Sequence, residues 1–305
     1  MVETTMKLSI IILNWNAAED TVRCVRDIAT WERLKAAVWV VDNASTDGSP
    51  GVIARECPEV HLLRNSANLG FAGGNNRGLA EALSTEEMGD APILLLNNDA
   101  QIEESDVARL VQTLQADGRL GLVGPLLFDA GRRERLLAAG SRDPARHHHS
   151  HIDEMPSGEP VQVVECVPGT VILVRAQVLR QVGLLDEDYF FASEVADLCL
   201  RARQRGFLSA VDTRARAFHN LGRSSKLRET LHAYYIVRNR FLLVRKFHPR
   251  WKVLFYGFWT LYSLALSARV QLGGKRAAAR AMRLGLLDGL RGRFGNQNRR
   301  VLDGP

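Results

Sequence analysis

The chain has 305 residues, 46% of them hydrophobic, and carries 40 Lys+Arg against 34 Asp+Glu for a formal net charge of +6. This length and apolar content exclude a disordered or disulfide-stapled chain and allow one sizeable core with an appendage, or two domains. The four cysteines, Cys24, Cys57, Cys166 and Cys199, form no CxxC pair, which argues against a zinc site or disulfide framework and for reduced, cytosolic thiols.

The first residues, MVETTMKLSIIILNWN, offer an apolar stretch of only about six positions before Asn14, so no secretory signal is expected. Residues 7–13 read as a buried strand, and residues 17–34, with Val22, Val25 and Ala29 at helical spacing, as the helix that follows. Residues 37–41 form the second strand. A polar turn, a short helix at 52–56 and a short strand at 61–64 come next, and NLGFAGGNN, Asn68 to Asn76, precedes a helix at 77–83. Residues 93–96 supply a strand, 106–114 a helix and 120–127 another strand. Residues 129–160 are charged, broken by Gly and Pro and weakly periodic, which predicts an excursion or surface loop. ECVPGTVILVRAQVLRQVG then reads as strand and helix, and residues 198–205 as a further helix. This alternation predicts an α/β fold, a doubly wound, mostly parallel, Rossmann-like sheet.

Asp42 and Asp99 each close an apolar run, in VWVVDNASTDGS and ILLLNNDA. Such runs suit strands buried on both faces, and a carboxylate that follows one lies at the carboxyl edge of the sheet, where open α/β sheets bind ligands. Two acidic ends there suit ribose hydroxyls at one point and a metal-bound pyrophosphate at another, which points to a nucleotide-sugar site. Asp42 taken alone is equally explained as a cap on the next helix. NLGFAGGNN packs three glycines and three asparagines ahead of a helix. Glycine lets backbone N–H groups approach a phosphate closely, and a helix N-terminus favours negative charge. The segment is neither GxxxxGK[ST] nor GxGxxG, so a P-loop ATPase is not indicated. HHHSH, at residues 147–151, offers imidazoles to a transition metal or belongs to a solvated loop.

Charge is divided unevenly. Residues 223–305 hold 18 Lys+Arg and 3 Asp+Glu, whereas residues 1–222 hold 22 and 31, which gives +15 against −9. Such a tail faces a polyanion. Within it VLFYGFWTLYSLALSA, residues 253–268, is uncharged, aromatic and flanked by basic residues, as a membrane interface favours. Its 16 residues fall short of the roughly 20 a spanning helix needs, so an in-plane or re-entrant helix at an anionic membrane surface is expected, ahead of a buried core helix or a true span. Nucleic acid is not expected, because the aromatics cluster in one uncharged stretch instead of interleaving with arginines.

Taken together, IIILNWN, VVDNASTDGS, NLGFAGGNN, LLLNNDA, PGTVILVR, GLLDEDYFF, DLCLRARQRGF, AFHNLGRSS, YYIVRNR and RLGLLDGLRGRFG resemble, in order, the inverting family 2 glycosyltransferases of the GT-A fold. The resemblance is strongest to the bacterial rhamnosyltransferase-like branch that builds surface polysaccharides. It implies a GT-A domain over residues 1–222, with a nucleotide-sugar half at about 1–128 and an acceptor half at about 160–222, and a basic helical membrane-associated tail over 223–305. It implies donor binding by Asn14, Asp42, Asn68, Gly70, Gly73, Asn76, Asn98 and, through its forked donors, Arg238. Arg238 is otherwise part of a solvated or headgroup-facing stripe with Arg240, Arg245 and Lys246. Asn97-Asn98-Asp99 occupies the DxD position of the family with Asn in place of the first Asp, which makes Asp99 the principal ligand for Mg²⁺ or Mn²⁺. His219 matches a late histidine that reaches the metal or diphosphate, or is a core or loop histidine.

Relatives carry Glu-Asp-x-Asp-Leu and assign the catalytic base to the Asp of that first pair. Here Ser193-Glu194-Val195-Ala196-Asp197-Leu198 puts Val195 at that position. Glu194 becomes the base candidate, with Asp197 or Asp188 next, although Asp197 also reads as a helix cap. The resemblance further implies a nucleoside diphosphate sugar donor, with dTDP-rhamnose preferred, a polyprenyl-linked or glycan acceptor, and attachment to the cytoplasmic face of the bacterial inner membrane. A different class, a nucleotide-binding scaffold that lost its base at Val195, is the competing reading.

Overall fold

The computed structural model describes residues 6–86, 89–220 and 226–303. The chain runs β1 (Met6–Asn14), α1 (Ala18–Ala29), β2 (Leu34–Asp42), α2 (Ser49–Glu56), β3 (His61–Arg64), α3 (Gly70–Ser84), β4 (Ile93–Asn97), β5 (Ala100–Ile102), α4 (Glu104–Ala116), β6 (Leu120–Asp129), β7 (Leu136–Ala138), β8 (Val161–Val164), β9 (Val171–Val174), α5 (Ala176–Val182), α6 (Glu194–Gln204), β10 (Leu208–His219), α7 (Lys226–Phe247), α8 (Lys252–Leu272), α9 (Arg276–Arg291) and α10 (Asn298–Asp303). A 3₁₀ turn at Glu187–Tyr189 precedes α6.

All ten strands join one sheet with the path β3-β2-β1-β4-β9-β6-β10-β5. Strands β3, β2, β1 and β4 are parallel and in close register, with Asn14 opposite Asp42 and Leu13 opposite Asn97. Their carboxyl ends therefore form one level edge. Side-chain alternation divides the core between two helical layers, because successive strand residues point to opposite faces. Leu8, Ile10 and Ile12 pack with Val22, Val25 and Ile28 of α1 and Leu110 and Leu114 of α4. Ile11, Trp39, Val41 and Leu95 pack with Leu79 of α3 and Leu198 and Ala202 of α6.

Four expectations are corrected here. The sheet is mixed, not mostly parallel: β9 enters antiparallel between β4 and β6, while β5 and β8 run antiparallel to β10 and β7 antiparallel to β6. The helix expected to reach residue 34 stops at Ala29, and Leu34 already pairs with Met6 in β2. Helix α3 starts at Gly70, not at residue 77. Most of the glycine-rich segment is thus helix, despite its low intrinsic propensity, because the missing side chains let it lie against the sheet; a Cβ on Gly74 would run into the Leu13 side chain of β1. Finally, residues 129–160 are no free loop: Asp143 and Ala145 are buried, the Trp259 indole donates to Ala145 O at 2.8 Å, and Arg240 donates to His148 O at 2.8 Å.

Beyond β10 the chain continues as helices packed on one another and on the 3₁₀ turn, with Tyr189, Val237, Phe241 and Trp259 in one apolar cluster. The expected boundary between residues 222 and 223 lies outside the described residues. Helix α8 outruns the uncharged stretch, and Pro249–Leu272 is long and apolar enough to cross a membrane by length and composition. It packs through Trp259, Ser263 and Ser267, and leaves Val253, Leu254 and Leu261 exposed at 87%, 64% and 71%. A buried core helix is therefore excluded.

Gly70 takes a left-handed φ of +73°, and a Cβ there would come within 2.3 Å of Phe190 O. Gly70→Ala is expected to destabilise the fold by at least about 2 kcal/mol, from the left-handed penalty plus the clash. Gly51→Ala in α2, where a Cβ meets nothing within 4 Å, is expected to stabilise by about 0.5–1 kcal/mol. Urea unfolding of both variants checks the pair.

Candidate active site

The level edge of β1, β2 and β4 gathers the first group of expected site residues. Asp42 and Asn14 are buried, and Asn14 Nδ2 donates to Asp42 Oδ1 at 2.8 Å and to Ser45 Oγ at 3.1 Å. Ser45 N donates to Asp42 Oδ2 at 3.1 Å, so this carboxylate also shapes the turn after β2. Asn98 joins through Thr21 of α1, which is fully buried: Asn98 Nδ2 lies 2.9 Å from Thr21 Oγ1, itself 2.8 Å from Asn14 Oδ1. No sequence signal marked Thr21, because one hydroxyl in a helical turn looks like many others.

The second group sits at the start of α3, and the structure redirects it. The amides of Phe71 and Ala72 donate to Phe190 O at 2.7 and 3.4 Å, so the helix N-terminus is occupied by a backbone carbonyl of the 187–193 loop. Asn68 is held by Asn43, whose Nδ2 donates to Asn68 Oδ1 and to Gly70 O, both at 3.0 Å, while Asn68 Oδ1 also accepts from Gly70 N at 2.8 Å. A Cβ on Gly73 would approach the Glu187 carboxylate carbon at 3.4 Å. Asn76 donates to Leu185 O at 2.8 Å and to Glu187 Oε1 at 3.0 Å, and accepts from Leu185 N at 3.0 Å. These groups join the glycine-rich segment to the 185–190 loop. Asn76 and the α3 N-terminus are spent on protein contacts instead of facing a diphosphate.

Asp99 and His219 come together. Asp99 lies in the turn between β4 and β5, and His219 closes β10 opposite Ala100, so the β5–β10 ladder fixes their approach. Asp99 Oδ1 lies 3.3 Å from His219 Nε2, with side-chain exposures of 9% and 16%. A buried imidazole nitrogen turned toward a carboxylate oxygen fits a divalent cation that takes one ligand from each. Among the described residues no group of three or more His, Cys, Asp or Glu is placed to hold a metal. Asp99 and His219 are thus a pair and not a complete protein-built site, and the 147–151 histidines form no such group.

Glu194 opens α6 after a strained approach, with Phe190, Ala192 and Ser193 at φ of 59°, 69° and 73°. Non-glycine residues hold such conformations only where the surroundings over-determine them. Here Asn239 Nδ2 lies within reach of Tyr189, Phe191 and Ala192 carbonyls at 3.1, 2.9 and 2.6 Å, and Arg238 donates to Asp188 O and Tyr189 O at 2.7 and 2.8 Å. Arg238 is fully buried and also stacks over the Tyr235 ring. It is neither a diphosphate clamp nor part of a solvated stripe, because its donors hold the loop that delivers Glu194.

The two carboxylates of α6 differ in kind. Asp197 is fully buried and accepts from Arg201 Nε at 2.5 Å, from Tyr189 OH at 3.1 Å and from Lys246 Nζ. Two cationic side chains and a hydroxyl surround it and tie α6 to its neighbours, and it makes no capping hydrogen bond to α6. Glu194 is 6% exposed and its Oε2 makes no hydrogen bond among the described residues. Burial above all pushes its carboxyl up to about 7; its own backbone N–H works against this and the Asp197 charge adds to it. A carboxylate poised near neutrality suits a general base. Val195 lies in the core beside Gly169, while Thr170 O accepts from Asn97 N at 3.0 Å, so the 169–170 turn connects the start of α6 to the Asp99 turn.

Residues 9–148 match the family described as Glycosyl transferase family 2. The chain carries a family 2 glycosyltransferase domain. This glycosyltransferase is 26% identical, over 92% of its length and 98% of the relative, to the N-acetylglucosaminyl-diphospho-decaprenol L-rhamnosyltransferase of Mycobacterium tuberculosis. It is 24% identical to the dTDP-rhamnosyl transferase RfbF of Shigella flexneri, over 69% of its length and 71% of that protein. Its fold is similar to that of a mannosyltransferase from Pyrobaculum calidifontis, solved with GDP-Man and Mn²⁺, with a TM-score of 0.58 and 15% identity over 95% of this chain and 89% of that one. The architecture of this enzyme is the GT-A fold with a mixed sheet.

The raised carboxyl of Glu194 ties stability to pH. A folded-state value near 7 against 4.5 for the ordinary side chain means that the protonated form favours folding. That contribution is fully present below the unfolded value and is lost as pH rises through about 7, at a cost on the order of 3 kcal/mol. Glu194→Gln is therefore expected to raise the urea midpoint above wild type at about pH 8.5 and to match wild type at about pH 5. Equal differences at both values would refute a buried, protonatable Glu194.

Proposed function

We propose that the protein is an inverting glycosyltransferase that moves a sugar, rhamnose from dTDP-rhamnose, to a hydroxyl of a polyprenyl-linked saccharide or related glycan acceptor in cell-surface polysaccharide synthesis. The observation that carries this reading is the meeting of Asp99 and His219 at 3.3 Å beside the edge that holds Asp42 and Asn14. The relatives named above, which act with rhamnose, support the donor.

In this reading Asp42 and Asn14 receive the nucleoside, and Asn98 faces the diphosphate and sugar. Asp99 and His219 would hold Mg²⁺ or Mn²⁺, which when bound neutralises charge on the departing diphosphate. Glu194 takes the proton of the acceptor hydroxyl, whose oxygen forms the new bond to the anomeric carbon. The bond from that carbon to the diphosphate oxygen breaks, its electron pair leaves with the nucleotide, and the anomeric configuration inverts. The base contributes about 10²- to 10⁴-fold in rate.

The enzyme works from the cytoplasmic face of a bacterial membrane, lying on it through α8. The exposed Leu254 and Leu261 support this, as does charge: residues 230–287 contain no carboxylate and seven Lys and Arg from Arg250 to Arg283 that suit anionic headgroups.

With dTDP-rhamnose and a polyprenyl-diphospho-N-acetylglucosamine acceptor, wild type is expected to form product. Asp99→Ala is expected to lose metal-dependent turnover, and Glu194→Gln to bind donor normally while transfer falls by about 10²-fold or more. Retained turnover in either variant sinks that assignment; nucleotide binding by wild type without product would favour a scaffold. On vesicles, Leu254→Glu with Leu261→Glu is expected to abolish cosedimentation with phosphatidylglycerol-containing bilayers without changing the melting temperature. Undiminished binding would remove α8 as the anchor.

A further inference from the structure

The turn that carries Asp99 is joined to the nucleoside end of the sheet through one hydroxyl. Asp42 is a buried carboxylate that, when ionised, only accepts hydrogen bonds. It receives Asn14 Nδ2 at 2.8 Å, which turns the Asn14 amide so that Oδ1 faces Thr21. An amide oxygen also only accepts, so Thr21 Oγ1 places its single proton on Asn14 Oδ1 at 2.8 Å, the shorter of its two acceptors, Ala17 O being at 3.1 Å. A lone pair of the same hydroxyl is left for Asn98 Nδ2 at 2.9 Å. Each donor and acceptor in this chain is thereby assigned, from the Asp42 carboxylate outward. Asn98 is held by its amide nitrogen, so that its Oδ1 is the acceptor end of the residue that precedes Asp99.

We propose that Thr21 is a positioning residue for the metal-binding turn, orienting Asn98 so that its amide oxygen and the Asp99 carboxylate are offered together to a divalent cation bound with the donor diphosphate. The inference rests on the reading of Asp99 given under Proposed function. A hydroxyl that orients a ligand-bearing residue without touching the ion is worth about ten- to a hundredfold in metal affinity.

The experiment is Mn²⁺ binding, followed by the electron paramagnetic resonance of free Mn²⁺ in the presence of dTDP, for wild type, Asp99→Ala, Thr21→Val and Thr21→Ser. Thr21→Val keeps the volume and removes all three hydrogen bonds of the hydroxyl, those to Asn14 and Asn98 among them. It is expected to weaken Mn²⁺ by about tenfold or more, while Thr21→Ser stays within about threefold of wild type. Wild-type affinity in Thr21→Val, or equal losses in the Ser and Val variants, would overturn the inference. Equal Mn²⁺ binding by wild type and Asp99→Ala would instead remove the metal reading itself, and is seen without any Thr21 variant. If Thr21→Val fails to fold, Asn98→Leu is expected to show the same Mn²⁺ loss, and unchanged affinity there overturns the proposal.

Discussion

The carbonyl oxygen of Phe190 sits on the first amides of α3, and the rest of the site depends on that contact. It joins distant parts of the chain, since α3 follows β1, β2 and β3 and Phe190 precedes the helix of Glu194. The contact demands a glycine at position 70, because any side chain there would strike the carbonyl. It also satisfies helix donors that would otherwise lack partners. From the opposite side Arg238 and Asn239 of α7 bind the neighbouring carbonyls. The loop that leads into Glu194 is thus gripped between a glycine-rich helix and the basic tail, and three left-handed residues are held just before it.

Buried charge is handled in two ways within one helix. Asp197 is surrounded by Arg201, Lys246 and Tyr189, so its ionised form is matched on several sides. Glu194, in the preceding turn, has no cation and pays desolvation in full, which places its proton affinity in the working range of a base. The same separation of roles occurs at the sheet edge, where Asp42 organises a chain of amides and hydroxyls while Asp99 meets His219. In each pair one carboxylate is tied into the surrounding hydrogen-bond network, and the other carries the chemistry in the reading proposed above.

The basic tail does more than carry charge. Its helices cover the 129–160 excursion through Trp259 and Arg240 and grip the Glu194 loop through α7. The face of α8 that remains outside is apolar, and the chain from residue 230 to 287 that carries it holds no carboxylate. A surface that binds this face therefore lies against helices that also hold the loop before Glu194.

The sequence by itself determined the strands, the level edge and the carboxylates at it. Continuous apolar runs permit little except a strand buried on both faces, and a polar residue after such a run can only stand at its end. Asn14, Asp42 and Asp99 were legible for that reason. Tertiary structure alone decided the antiparallel insertion of β9, because strand direction depends on the path of the intervening chain and not on the composition of Val171–Val174. It also decided which polar side chains stay available. Asn76 and Arg238 have donors suited to a phosphate, yet those donors are consumed by backbone carbonyls more than a hundred and about fifty residues away in the chain. Thr21 gains its place only when α1 is laid across β1 and β4. Hydrogen-bond capacity can be read from a residue type, but its allocation is settled only by what the fold brings within reach.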